Sequence, residues 1–93
     1  MPLQHDFSDK LKEILKNLSS KEKHRYEILM KKIESICACD EFTIEHFKNL
    51  RNDMKDLKRV HIDKSFVLTF KYYKAKKYIL FEDFDHHDNI YKK

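Results

Sequence analysis

Ninety-three residues make one domain's worth of chain, too short for two separate cores. The chain is 41% hydrophobic and 39% charged, enough apolar material for one core and too much for a disordered chain, with a net charge of +4. Glycine is absent and Pro2 is the single proline, which excludes glycine-rich phosphate loops, dinucleotide-binding folds, collagen-like sequence and Gly/Ser linkers.

No run approaches the roughly 18 apolar residues of a membrane span. The stretch from Met1 to Asp6 lacks the basic start and apolar core of a signal peptide. Cys37 and Cys39 are too close for an ordinary disulfide staple, which points to a reducing compartment and a cytoplasmic location. Cys-x-Cys without a second pair is also poor zinc spacing, so both thiols read as structural.

Leu3 to Asp6 can supply a short edge strand. Phe7, Leu11, Ile14, Leu15 and Leu18 recur at helical spacing and predict a helix over 7–18, capped by Asp6 or Ser8. Ser19 with Glu22 three residues on reads as a capping box. The helix it opens, over 20–38, carries Tyr26, Leu29, Met30, Ile33, Ile36 and Cys37 on one stripe. So short a joint predicts an antiparallel helical hairpin. Residues 40–57 mix Phe42, Phe47, Leu50, Met54 and Leu57 with many polar side chains. They predict a connecting segment with one short helix near 43–48.

From residue 58 the apolar period changes to two. Strands are predicted over 58–63, 65–73 and 77–84, with Arg59, His61 and Asp63 facing outward. Lys74–Lys77 lacks glycine and demands a longer turn than a two-residue primed one. Helices followed by strands define an α+β class: a single domain over 1–93 with the hairpin on a small antiparallel sheet. The expected core holds Leu11, Leu15, Leu18, Leu29, Ile33, Val60, Ile62, Leu68 and Leu80.

Charge is unevenly distributed. Residues 1–45 sum to −1, 46–77 to +7 and 78–91 to −4. The +7 block is either a polyanion footprint or a solvated lysine-rich surface.

Six histidines are present, with His86 and His87 adjacent. His24 reads as a helix-surface residue and His5 as incidental. His86 sits beside four acids, Glu82, Asp83, Asp85 and Asp88: a charge-balanced loop, or a fortuitous metal site with Asp85 and Asp88. The sheet face bearing His61 can also receive the segment His86–Tyr91. Two imidazoles, a phenol and nearby cations suit metal-free phosphodiester transfer in RNA. One imidazole takes the 2′-OH proton, a cation steadies the phosphate oxygens, and a second acid protonates the leaving 5′-oxygen.

The stretches Leu57–Phe70 and Ile79–Tyr91 resemble the RelE superfamily of toxin–antitoxin mRNA interferases, closest to its YafQ-like branch and archaeal relatives. The carriers are a basic strand with a histidine, the strand Ser65-Phe66-Val67-Leu68-Thr69-Phe70, and the pair His87/Tyr91 spaced by four. The helical order before residue 38 agrees in architecture. The resemblance implies a microbial-ribonuclease-like fold, mRNA cleavage at the ribosome without metal or small-molecule cofactor, and an acidic antitoxin as partner.

By the same resemblance, His61 matches the branch's strand histidine, His87 its C-terminal catalytic histidine, and Tyr91 its terminal aromatic. Ser65 stands where the branch carries Asp. Phe66 holds the following aromatic position, a candidate for base stacking. Lys48 lies near a further catalytic histidine, two residues from His46. The arginine expected at the end of the last strand is replaced by Glu82-Asp83. The RNA-binding set is therefore Lys48, Arg51, Lys55, Lys58, Arg59, Lys64 and Phe66, with the acidic run free to orient His86 or His87. The alternatives are a catalytically weakened RNA- or ribosome-binding protein and an antitoxin-binding module.

Overall fold

The computed structural model describes residues 3–44, Phe47 and residues 57–91. The order is β1 (Gln4–Phe7), α1 (Asp9–Lys21), α2 (Lys23–Cys37), α3 (Glu41–Ile44), β2 (Leu57–Ile62), β3 (Phe66–Tyr73), a 3-10 turn (Lys74–Lys76), β4 (Tyr78–His86) and α4 (His87–Tyr91).

α1 begins at Ser8, whose backbone is extended and whose hydroxyl accepts from the Leu11 amide at 3.1 Å. The same hydroxyl donates to the Glu82 carbonyl at 2.6 Å, tying the helix start to β4. The expected second cap does not form. Ser19 and Ser20 stay helical and donate back to the carbonyls of Lys16 and Asn17, so α1 runs on to Lys21. The joint is Glu22 alone, at φ −137° and ψ 66°. Its N–H closes α1 on the Leu18 carbonyl, and its carbonyl accepts from Tyr26. One residue therefore serves both helices.

The sheet order is β1-β4-β3-β2. β2, β3 and β4 are antiparallel neighbours as expected. The predicted edge strand forms but runs parallel to β4, so the sheet is mixed. The β2–β3 turn places Asp63 and Lys64 at φ 50° and 65°, and Lys77 closes the next turn at φ 50°. With no glycine in the chain, these side chains bear a left-handed backbone that costs roughly 1–2 kcal/mol each.

Alternation divides the sheet between two faces. One face carries Val60, Ile62, Leu68, Phe70, Ile79, Phe81 and Phe84 against Leu11, Leu18, Leu29, Ile33 and Ile36 of the helices. Val60 and Leu15 are half-buried at its margin. Leu80 is a correction to the expected core. Ile79 and Phe81 take the helix-facing positions, so Leu80 between them points the other way, into a cleft with Gln4, Tyr73, Lys76 and Tyr78. A bulge between Thr69 and Phe70 then restores Phe84 to the core side.

On the far face, α4 seats Ile90 on Val67, with Leu57 alongside. The short helix after residue 40 is α3, begun by Asp40, whose carboxylate accepts from the amides of Phe42 and Thr43 at 3.1 and 2.8 Å. These bonds hold its carboxyl below the ordinary carboxylate range. The expected helix over 43–48 is corrected in part: Phe47 lies in a bend, its amide on the Ile44 carbonyl at 3.3 Å, and residues 45, 46 and 48 lie outside the described residues. Both cysteines are free thiols, and burial pushes the Cys37 thiol up to about 11. No helix among the described residues is long and apolar enough to cross a membrane.

Candidate active site

The β2–β3 register sets His61 opposite Val67, and the β3–β4 register sets Val67 opposite Asp85. His61 is exposed on the far face, two strand spacings, about 9.5 Å, from Asp85. His87 begins α4 just beyond, and its N–H donates to the Ser65 carbonyl at 2.8 Å. His61 and His87 are thus at the same end of the sheet. The His87 ring itself stacks on His86, whose ring lies edge-on to Phe66 at the margin of the helix-bearing face. Tyr91 closes α4.

Adjacent strand residues point to opposite faces, yet His86 and His87 do not. The strand ends at His86 and a helical turn starts at His87, which brings the two rings into a stack with centroids 4.6 Å apart. Asp85 braces this corner. Its Oδ1 accepts from the His86 amide at 2.7 Å and from the Asn89 side chain at 3.1 Å. Asp88 lies against both imidazoles, its oxygens 3.6 Å from His86 Nδ1 and 3.1 Å from His87 Nδ1. The acid that touches both rings is therefore Asp88, while Asp85 holds the backbone beneath them.

Glu82 and Asp83 do something else. Asp83 pairs with Lys10 of α1 at 2.9 Å, which raises the Lys10 pKa through that hydrogen bond and the charge beside it. Glu82 lies 3.6 Å from Lys71 of β3. The acidic run is matched by two lysines.

The predicted cations separate. Arg59 is on the far face, opposite Thr69, in the same row as His61. Lys64 is exposed in the turn after β2. Lys58 is a correction. It falls on the helix-bearing side opposite Phe70, is buried, and donates to the Phe47 carbonyl at 3.3 Å. Phe66 is also displaced from the expected site. Its ring stacks on Phe84 at 5.3 Å, with the Arg25 guanidinium 4.2 Å from its centroid and His86 edge-on at 5.6 Å. It belongs to the core margin, on the opposite face from His61. His46, Lys48, Arg51 and Lys55 lie outside the described residues.

Some neighbours escaped the sequence reading. Lys31 and Lys32 of α2 line a groove with His61, Ile62 and Asp63. Arg25 is held between Phe66, Asp63 at 3.6 Å, and Glu22. No linear signal marked them, because they sit in a segment of net charge −1.

The architecture defines a small α+β domain of RelE-like fold, two helices on a four-stranded mixed sheet with paired histidines where the last strand turns into a terminal helix. Over 83 residues the chain is 49% identical to "Putative toxin RelE4" of Methanocaldococcus jannaschii, covering 89% of this chain and 84% of that protein. An uncharacterised protein of Methanosarcina mazei is 42% identical over 74 residues, 80% of this chain and 81% of its own. The chain belongs to the RelE family of toxins. No protein-family model matches it, and no solved structure matches.

Proposed function

We propose that the protein is the toxin of a toxin–antitoxin pair and acts as an endoribonuclease on mRNA at the ribosome, by 2′-OH attack that needs no metal. The observation that carries the reading is the placement of His61 and His87 at one end of the sheet with Val67 and Asp85 between them.

One imidazole takes the proton from a ribose 2′-OH, and the oxygen attacks the adjacent phosphorus. The P–O5′ bond breaks, and the other imidazole, in its protonated form, gives its proton to the leaving oxygen. The products are a 2′,3′-cyclic phosphate and a free 5′-OH. Each histidine ends in the protonation state from which the other began. Tyr91 contributes stacking or proton relay. Arg59 and Lys64, with Lys48, Arg51 and Lys55, supply charge to the phosphates. Lys58 and Phe66 are assigned to structure. An acidic antitoxin would cover the cationic edge and exclude RNA.

The test is induction in growing cells with mRNA cleavage mapped. The parental chain should arrest growth. His61→Ala and His87→Ala should each cut the cleavage rate by about 10²–10⁴, the usual loss for a general acid or base. His24→Ala should match the parent. Parental rates in both active-site variants would refute the assignment. The second reading, RNA or ribosome binding without cleavage, draws on the acidic pair Glu82-Asp83. Growth arrest with intact mRNA would favour it.

A further inference from the structure

The corner that stacks His86 on His87 gathers more than a general acid–base pair. One donor atom from each of His86, His87 and Asp88 lies within 4.8 Å of the other two. Ligands sharing a zinc ion at about 2.0–2.2 Å stand roughly 3.3–3.6 Å apart in a tetrahedral shell. His87 Nδ1 stands 3.1 Å from Asp88 Oδ1 and His86 Nδ1 3.6 Å from Asp88 Oδ2, each close to that spacing, and a small rotation of the exposed Asp88 side chain is needed to bring one oxygen to both imidazoles.

The donors are also held in place. The His86 amide is fixed on Asp85, Asn89 closes the same carboxylate, and Phe66 packs edge-on against the His86 ring. The Asp88 amide donates to His86 Nδ1 at 3.2 Å, and the Asp88 carboxylate lies 3.6 Å from the same nitrogen. A cation arriving there displaces one long hydrogen bond. The side chains are 40%, 44% and 73% exposed, leaving room for water ligands.

We propose that His86, His87 and Asp88 form a binding site for one late first-row transition-metal dication. Two imidazoles and one carboxylate suit Zn²⁺, Ni²⁺ or Cu²⁺ and not Mg²⁺, which demands oxygen ligands. Resting on the ribonuclease reading above, a bound ion occupies the His87 nitrogen and withdraws that residue from proton transfer, so the metal is an inhibitor.

The test is calorimetric titration of the full chain with Ni²⁺ as probe, repeated with Mg²⁺. One Ni²⁺ per chain should bind and Mg²⁺ should not. His86→Ala should weaken Ni²⁺ at least about tenfold, as loss of even a supporting partner does at metal sites. Asp88→Asn, at an exposed position that leaves the fold intact, should weaken it as well. Cys39→Ser should match the parent. No saturation below about 1 mM, a parental affinity in His86→Ala, or loss of binding in Cys39→Ser would each overturn the site. In the cleavage assay, the ratio of rates with and without Ni²⁺ should fall for the parent and stay near one for His86→Ala. A metal-free parent that cleaves nothing defeats the ribonuclease reading alone, because the titration decides the site without it.

Discussion

Ile90→Ala tests whether α4 positions His87. The helix is five residues long, a single turn that would not persist alone in water. Two features hold it: the His87 amide on the Ser65 carbonyl, and Ile90, 8% exposed, against Val67 and Leu57. Truncating a buried isoleucine costs about 2–5 kcal/mol. The lower end applies here, because Ile90 sits in a satellite cluster with two partners rather than in the main core. About 2 kcal/mol raises the undocked population of α4 roughly thirty-fold. The loss is local. Hydrogen exchange of the α4 amides should therefore accelerate by about that factor, while amides of Phe70 and Phe81 keep their protection. RNA cleavage should fall at least tenfold, because a small misplacement of a reacting group is expensive. Accelerated exchange with undiminished cleavage would refute the role of α4 in placing His87. Unchanged exchange would refute the packing account.

Two further predictions concern stability. Ser8→Ala removes both the α1 cap and the hydroxyl bond to Glu82, and should cost about 1–2 kcal/mol, lowering Tm by about 4–8 °C per kcal/mol; a Tm unchanged in calorimetry would show that neither bond matters. Cys37 should make stability fall as pH rises. Burial holds its thiol at about 11, above the ordinary thiol value of 9.0, so between those values the unfolded chain gives up a proton that the fold retains. Urea midpoints measured from pH 8 to 11 should decline more steeply for the parent than for Cys37→Ala, and parallel declines would count against the burial account.

Much of the fold was legible because its local signals agree. The change in apolar period at residue 58 marked the three C-terminal strands, and the Leu11/Leu18 and Leu29/Ile33 stripes marked the helices. Two errors have separate physical causes. Ser19 with Glu22 satisfies a capping pattern, but serine inside a helix can bond its own preceding turn, and here it does. Leu80 looked like core because Tyr78 to Phe81 is an unbroken apolar run. Periodicity cannot assign faces in such a run, and pairing with β3 decided that Ile79 and Phe81 face the helices. The parallel pairing of β1 was likewise hidden, since four residues specify a strand and not its direction.

The site was legible in its residue types and not in its neighbourhoods. His61, His87 and Tyr91 are candidates named by the resemblance to the family pattern. The stack of His86 on His87 could not be named in this way, since it depends on the strand ending between them. The basic block also misled in part. Lys58 entered the RNA-binding set with the rest of the basic block, but three residues from His61 it falls on the other face of β2 and donates to the Phe47 carbonyl. Counting charge along the chain hid Lys31 and Lys32, whose segment sums to −1 although α2 lays both against the groove at His61. Charge that acts on a phosphate sums over a few ångströms of space, within a Debye length of about 10 Å. The edge formed by β2 and α2 therefore carries more cation than the linear pattern shows, and in the proposed ribonuclease this edge would supply phosphate charge, since Lys71 and Lys10 are already matched to Glu82 and Asp83.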